Sequence, residues 1–147
     1  MAGVDTIPEI EIKPIPHDSQ RYPTAGDYWD DMGTWRFRVS KMGNKKYELL
    51  VILHEFVEWM LTQDRGIKEP DIMAFDMLFE DEIQAGKQDP DAEPGNDPRA
   101  PYFKEHQVAT EIEKRIAAEL GVDWEAYDQA VMSLFEGERD CADTCIS

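Results

Sequence analysis

Five ionisable residues in this sequence, His54, Glu58, Asp76, His106 and Glu113, stand where apolar ones are expected, and their types suit metal chemistry. His54, Glu55 and Glu58 lie in the middle of YELLVILHEFVEWML, residues 47–61, which is otherwise apolar almost all the way round. A helix apolar on every side is a buried helix. At about 100° per residue, His54 shares its face with Tyr47, Leu50, Val51, Val57, Glu58 and Leu61, so an imidazole and a carboxylate one turn apart point where apolar neighbours point. A second pair, His106 and Glu113, interrupts the inner stripe of PYFKEHQVATEIEKRIAAEL and, being seven residues apart, lies on one side of that helix. Asp76 shares a side with Ile72, Phe79 and Ile83. Burying such groups singly is expensive unless they pair or bind a metal. If the helices converge, two imidazoles and two or three carboxylates form a set suited to a divalent ion, zinc foremost, with iron or manganese as alternatives, and too hard for copper or a sulfur cluster.

In that arrangement His54, Glu58 and His106 are the expected metal ligands. Glu113 is either a fourth ligand or the group that orients an imidazole, and Asp76 is a candidate additional ligand. Glu55, about 100° round from His54, is placed to take a proton from a metal-bound water. Two plainer readings stand beside this one: a buried His–Glu network that only rigidifies the helices, and a helix edge through Glu48, Glu55, Glu58 and Thr62 that simply faces water. Against the second, two core faces are interrupted independently, which one solvent stripe does not explain.

The elements that must hold these residues can be read in order. Pro8, Pro14, Pro16 and Pro23 break any helical pattern in residues 1–33, while IEIK supports a short strand near 9–13. The turn-rich stretch 17–34 carries Tyr22, Tyr28 and Trp29 as an aromatic flap. TWRFRVSKM alternates Trp35, Phe37 and Val39 against Arg36, Arg38 and Ser40, the best strand in the chain, expected to pair antiparallel with 9–13. Asn44 caps a helix over about 45–63, and Gly66 ends it. Pro70 opens a second helix with Ile72, Phe75, Phe79 and Ile83 as its stripe. Residues 86–100 are an acidic Pro/Gly loop. Pro101 opens a third helix closed by Gly121, and Asp123 caps a fourth over 124–136, followed by a polar, loose tail 137–147. The expectation is one α+β domain over 1–147, mostly helical: an N-terminal sheet and aromatic loop (1–43), then a body of about four helices (44–136).

Charge narrows the function classes. The net charge is −17, and it is uneven: residues 1–66 carry 8 basic against 11 acidic side chains, residues 67–147 carry 7 against 21. The second half repels nucleic acid, or imitates it, so no direct nucleic-acid binding is expected. Met32–Tyr47 is the one basic island, with Arg36, Arg38, Lys41, Lys45 and Lys46 and no acid. It reads either as a solvated strand face or, through Arg36, Arg38 and Lys41, as a cradle for an anionic substrate bearing a phosphate or a carboxylate. Cys141 and Cys145 make no disulfide framework and a poor closed zinc site. Asp89, Asp91 and Glu93 depart from calcium-loop spacing. No run reaches membrane-spanning length and no secretion signal opens the chain, which places the protein in a reducing cytoplasm.

HEFVE on a helix that follows an amphipathic strand resembles the HExxH helix of zincin metallopeptidases, with Glu58 in place of the second histidine. That resemblance implies His54 as ligand, Glu55 as general base, Glu58 in the second ligand position, and His106 or Glu113 as the third. The longer pattern, GDYWDDMGTWRFRVSKM through LHEFVEW to DPRAPYFKEHQVATEIE and LGVDWEAYD, resembles small uncharacterised proteins encoded in phages and bacterial prophages; it implies a phage-derived protein in the cytoplasm of a bacterial host and no particular activity. The functional expectation is therefore a metal-binding protein, a small metal-dependent hydrolase. Its rival is an acidic phage protein without catalysis, a nucleic-acid mimic or inhibitor that occupies a basic host protein.

Overall fold

Strand β3, Thr34–Ser40, is the centre of a three-stranded sheet. In this computed structural model, which describes residues 6–146 and side-chain surroundings as far as Glu136, Phe37 and Val39 are buried on one side of it. Arg36 and Arg38 lie on the other and meet Glu11 and Asp31. The alternation read in the sequence is thus the inside–outside alternation of the sheet. Strand β1, Glu9–Ile15, pairs with β3 from Glu9↔Thr34 to Ile15↔Ser40, and strand β2, Gly26–Asp31, pairs with its other edge from Gly26↔Val39 to Asp31↔Thr34.

Two expectations are corrected here. The β1–β3 pairing is parallel, so the sheet is mixed rather than antiparallel. Part of the expected aromatic flap is strand β2, joined to β3 by a turn at Met32 and Gly33, both with positive φ (51° and 98°). That hairpin takes one edge of β3 antiparallel and leaves only the other edge to β1; the chain between β1 and β2 is long enough to let β1 run alongside in the same direction.

Four helices follow: α1 (Lys45–Asp64), α2 (Glu69–Gln84), α3 (Phe103–Glu119) and α4 (Trp124–Ile146). Their starts follow the sequence cues. The Asn44 side chain accepts the Tyr47 N–H, Pro70 sits in the first turn of α2, and Asp123 accepts the Ala126 N–H. Gly66 and Gly121, both at φ 70°, end α1 and α3. Helix α4 does not stop at 136 but continues to Ile146. Gly137 inside it costs about 1 kcal/mol relative to alanine, and no proline follows to break the backbone. The Cys141 and Cys145 side chains lie outside the described surroundings.

Helix α1 is sandwiched between the sheet and α3, which accounts for its apolar residues on two sides, while Leu49 and Met60 remain exposed. Trp59 joins Tyr28, Phe37, Ile72, Ala100 and Tyr102 in one buried cluster, while Leu50 and Val51 join Val39, Ala117 and Tyr127 in another. His54 lies between these two clusters in sequence, with both flanks fixed by packing. Among the described residues no helix is long and apolar enough to cross a membrane.

Candidate metal site

His54 and Glu58 on α1 face His106 on α3, and all three are buried. His54 Nε2 lies 3.1 Å from His106 Nδ1 and 3.2 Å from Glu58 Oε2, and His106 Nδ1 lies 3.1 Å from the same Glu58 oxygen. The three atoms form a nearly equilateral triangle. An ion at about 2.1 Å from each would need edges of about 3.0 Å as an octahedral face and about 3.4 Å as a tetrahedral one. The observed edges lie between these values, so this buried group could hold a metal ion.

Each vertex is held from behind. His54 Nδ1 donates to Glu113 Oε1 at 2.7 Å, and the Tyr127 hydroxyl donates to Glu113 Oε2 at 2.5 Å. This fixes the His54 ring with Nε2 turned into the triangle, the carboxylate–imidazole arrangement common behind metal ligands. Glu113 therefore occupies the orienting place of the two foreseen for it. The other oxygen of Glu58 accepts from Tyr28 at 3.1 Å. His106 Nε2 lies 3.7 Å from Glu93 Oε1, and its ring rests on the backbone of Gly95, where a Cβ would come within 2.3 Å of Cγ. Gly95 belongs to a single 3-10 turn, Pro94–Asn96, so the acidic loop closes over the imidazole with the one residue type that lets the chain come so near.

The electrostatics reflect this crowding. Burial tends to raise the Glu58 carboxyl, but hydrogen bonds from His106 and His54 outweigh it and hold the group down at about 2. Burial tends to discharge His54; its bonds to Glu113 and Glu58 prevail and lift it well above the usual imidazole value. Glu55 has no hydrogen-bond partner among the described residues, and burial together with the Glu58 charge raises its carboxyl well above the ordinary range. Gly26 in β2 makes room for it, since a Cβ there would lie 2.6 Å from Glu55 Cγ.

The triangle and Glu55 line one cleft of about 180 Å³ beneath β2 and α2. Asp76 is in the cleft wall but not at the triangle: its two oxygens accept from the Tyr22 hydroxyl at 2.9 Å and from the Tyr102 hydroxyl, and burial brings its carboxyl up to about 7. Arg36, Arg38 and Lys41 are not brought to the cleft. The two arginines are bound to Glu11 and Asp31 on the far side of the sheet, and Lys41 is exposed beyond its end. Sequence reasoning missed Tyr28, Tyr127, Gly26, Gly95 and Glu93. Only Tyr127 carries a signal, since with Trp124, Val131, Leu134 and Phe135 it forms the apolar stripe of α4. No protein-family model, curated protein or solved structure matches this chain.

Proposed function

We propose that the chain is a small metal-dependent hydrolase that binds one divalent ion, zinc in preference to iron or manganese, through His54 Nε2, His106 Nδ1 and one oxygen of Glu58. The observation that carries this reading is the triangle of three donors 3.1–3.2 Å apart with a hydrogen-bonded carboxylate behind His54. Two imidazoles and one carboxylate with open positions is a donor set used for catalytic zinc and for non-haem iron. Glu55 favours hydrolysis, because it lines the same cleft without a hydrogen-bond partner among the described residues, and a divalent ion beside it would favour the ionised form that accepts a proton.

A divalent ion held there would lower the pKa of a bound water and polarise a carbonyl. The chain's own groups supply the rest. Glu55 accepts the proton of the attacking water; the water oxygen bonds to the carbonyl carbon; the bond from that carbon to the leaving nitrogen or oxygen breaks, and the proton passes from Glu55 to the leaving atom. Glu113 and Tyr127 keep His54 in the ligating tautomer, and Tyr28 holds Glu58.

The test is elemental analysis of protein purified without chelator, beside His54→Ala and His106→Ala. Near-stoichiometric zinc, iron or manganese, lost in both variants, is the expected result, and Glu55→Gln should retain it. Native protein that takes up none of the three ions on incubation would refute the proposal.

A further inference from the structure

The cleft that holds the triangle is a negative one. Among the described residues lining it there is no lysine and no arginine. Two of its carboxylates are answered from outside: Arg21 grips Asp27 through two bonds of 2.8 and 3.0 Å and reaches Glu69 at 3.4 Å. A divalent ion on the triangle would offset Glu58 and Glu113. Of the remaining lining acids, Glu80 accepts from Gln84, Asp128 feels the charge of Lys114 and Glu93 has His106 beside it, which leaves Glu55 and Asp76 with no cation in contact among the described residues. Asp76 is presented by two tyrosine hydroxyls, one on each oxygen, and the rings of Tyr22, Tyr102 and Phe79 line the same wall.

Carboxyl groups without counter-charges in a low-dielectric cleft disfavour an anion, and a cation seated beside one favours its ionised form; aromatic faces add to that attraction. Resting on the metal-hydrolase reading above, we propose that the substrate of this site carries a protonated aliphatic amine, seated on Asp76 between Tyr22 and Tyr102, with its scissile amide or ester directed at the triangle. The anion cradle expected from Arg36, Arg38 and Lys41 lies on another face and takes no part. The amine is the recognition handle and keeps its proton throughout; the bond that breaks is the one at the carbonyl carbon.

A charge series of equal length tests this: putrescine, 1,4-butanediol and succinate, titrated calorimetrically into metal-free and zinc-loaded protein, with zinc content measured on the same samples. Putrescine should bind both forms, more tightly without zinc, and in preference to the diol and to succinate. Loss of one charge-assisted contact should weaken putrescine about tenfold or more in Asp76→Asn. The same change at exposed Glu111, Glu111→Gln, should leave it unaltered. Succinate bound as tightly as putrescine, no preference for putrescine over the diol, or equal binding by Asp76→Asn and native protein would each overturn the inference while leaving the metal site intact. Putrescine selectivity in a protein that takes up no metal would instead sink the hydrolase reading and leave the amine pocket standing.

Discussion

Replacing Glu113 by glutamine separates a metal ligand's support from a merely rigid core. The substitution conserves shape, so the amide oxygen can still accept from His54 Nδ1, but it removes the charge that His54 and Tyr127 share at 2.7 and 2.5 Å. In a metal site the Glu113 carboxylate makes the imidazole a better donor, and loss of such a group lowers affinity by about 10- to 100-fold. That range corresponds to about 1.4–2.7 kcal/mol. In a structural network the same change acts only on folding, where a hydrogen bond to a charged group is worth about 1.5–3 kcal/mol. The assay is zinc competition against a chromophoric chelator, run beside urea unfolding of the metal-free protein. The expected outcome is weaker zinc binding in Glu113→Gln and a smaller gain in stability on adding zinc, because stabilisation follows the logarithm of ligand over Kd. Tyr127→Phe should shift affinity in the same direction and by less. Zinc affinity within about threefold of native, with only the folding stability reduced, would refute the reasoning.

The two close glycines yield predictions with opposite signatures. Gly95→Ala places a Cβ 2.3–2.7 Å from three His106 ring atoms, against ordinary contacts of about 3.5–4.0 Å. The ring must move by about 1 Å where a metal site tolerates about 0.2 Å, so zinc binding should fall by at least about 100-fold with the helical content by circular dichroism unchanged. Gly26→Ala presses instead on Glu55 and Val51, so zinc should remain bound while hydrolysis falls by about 10²- to 10⁴-fold, the usual worth of a general base; a full-rate variant would remove Glu55 from that role. The third concerns pH. Asp76 titrates at about 7 in the folded protein, raised by burial against the pull of the Tyr102 and Tyr22 hydroxyls, and returns to 3.8 when that environment is lost. The folded state then holds the proton more tightly, so this group's stabilisation is complete below about pH 4 and is lost as pH rises to about 7. Metal-free protein should unfold at lower urea at pH 8 than at pH 5, and Asp76→Asn should flatten that slope; equal slopes would contradict the assignment.

Which parts of this were legible in the sequence follows from which signals are local. His54, Glu58, His106 and Glu113 could be found because each interrupts a helical stripe, and a stripe specifies which residues face inward without any knowledge of neighbours. Caps at Asn44 and Asp123 and the ends at Gly66 and Gly121 were legible for the same reason. The hydroxyls of Tyr28 and Tyr127 were not, because a tyrosine reads as core whether or not its oxygen meets a carboxylate, and the partners lie 30 and 14 residues away. Gly95 and Glu93 sit in the acidic Pro/Gly loop, whose composition marks only a connection; the tertiary fold brings that turn onto His106. The strand order was illegible because Trp29 and Asp30 break the alternation that would have marked β2, and without β2 an antiparallel partner for β3 was the simpler pairing. Arg36 and Arg38 show the limit of a charge island: their acids, Glu11 and Asp31, come from neighbouring strands and lie outside the window in which they looked unpaired.

Proton counting inside the triangle favours a cation over a neutral network. Because His54 Nδ1 donates to Glu113, the remaining nitrogen of a neutral His54 is a bare acceptor, and it faces a carboxylate oxygen at 3.2 Å and another imidazole nitrogen at 3.1 Å. A neutral pair of histidines supplies at most one hydrogen, on His106 Nδ1, to hold together three lone-pair atoms, and a buried acceptor left unmatched costs about 1–3 kcal/mol. The arrangement becomes favourable once positive charge enters it. A proton on His54 does this, which is the physical content of its raised pKa; a divalent ion does it better, since it engages all three lone pairs together. Metal binding must then expel that proton, so zinc affinity should rise as pH rises toward the lifted His54 value, and calorimetry in buffers of different ionisation enthalpy should detect the proton released. Zinc uptake that frees no proton at pH 6 would mean that the triangle is held together by something other than a shared positive charge.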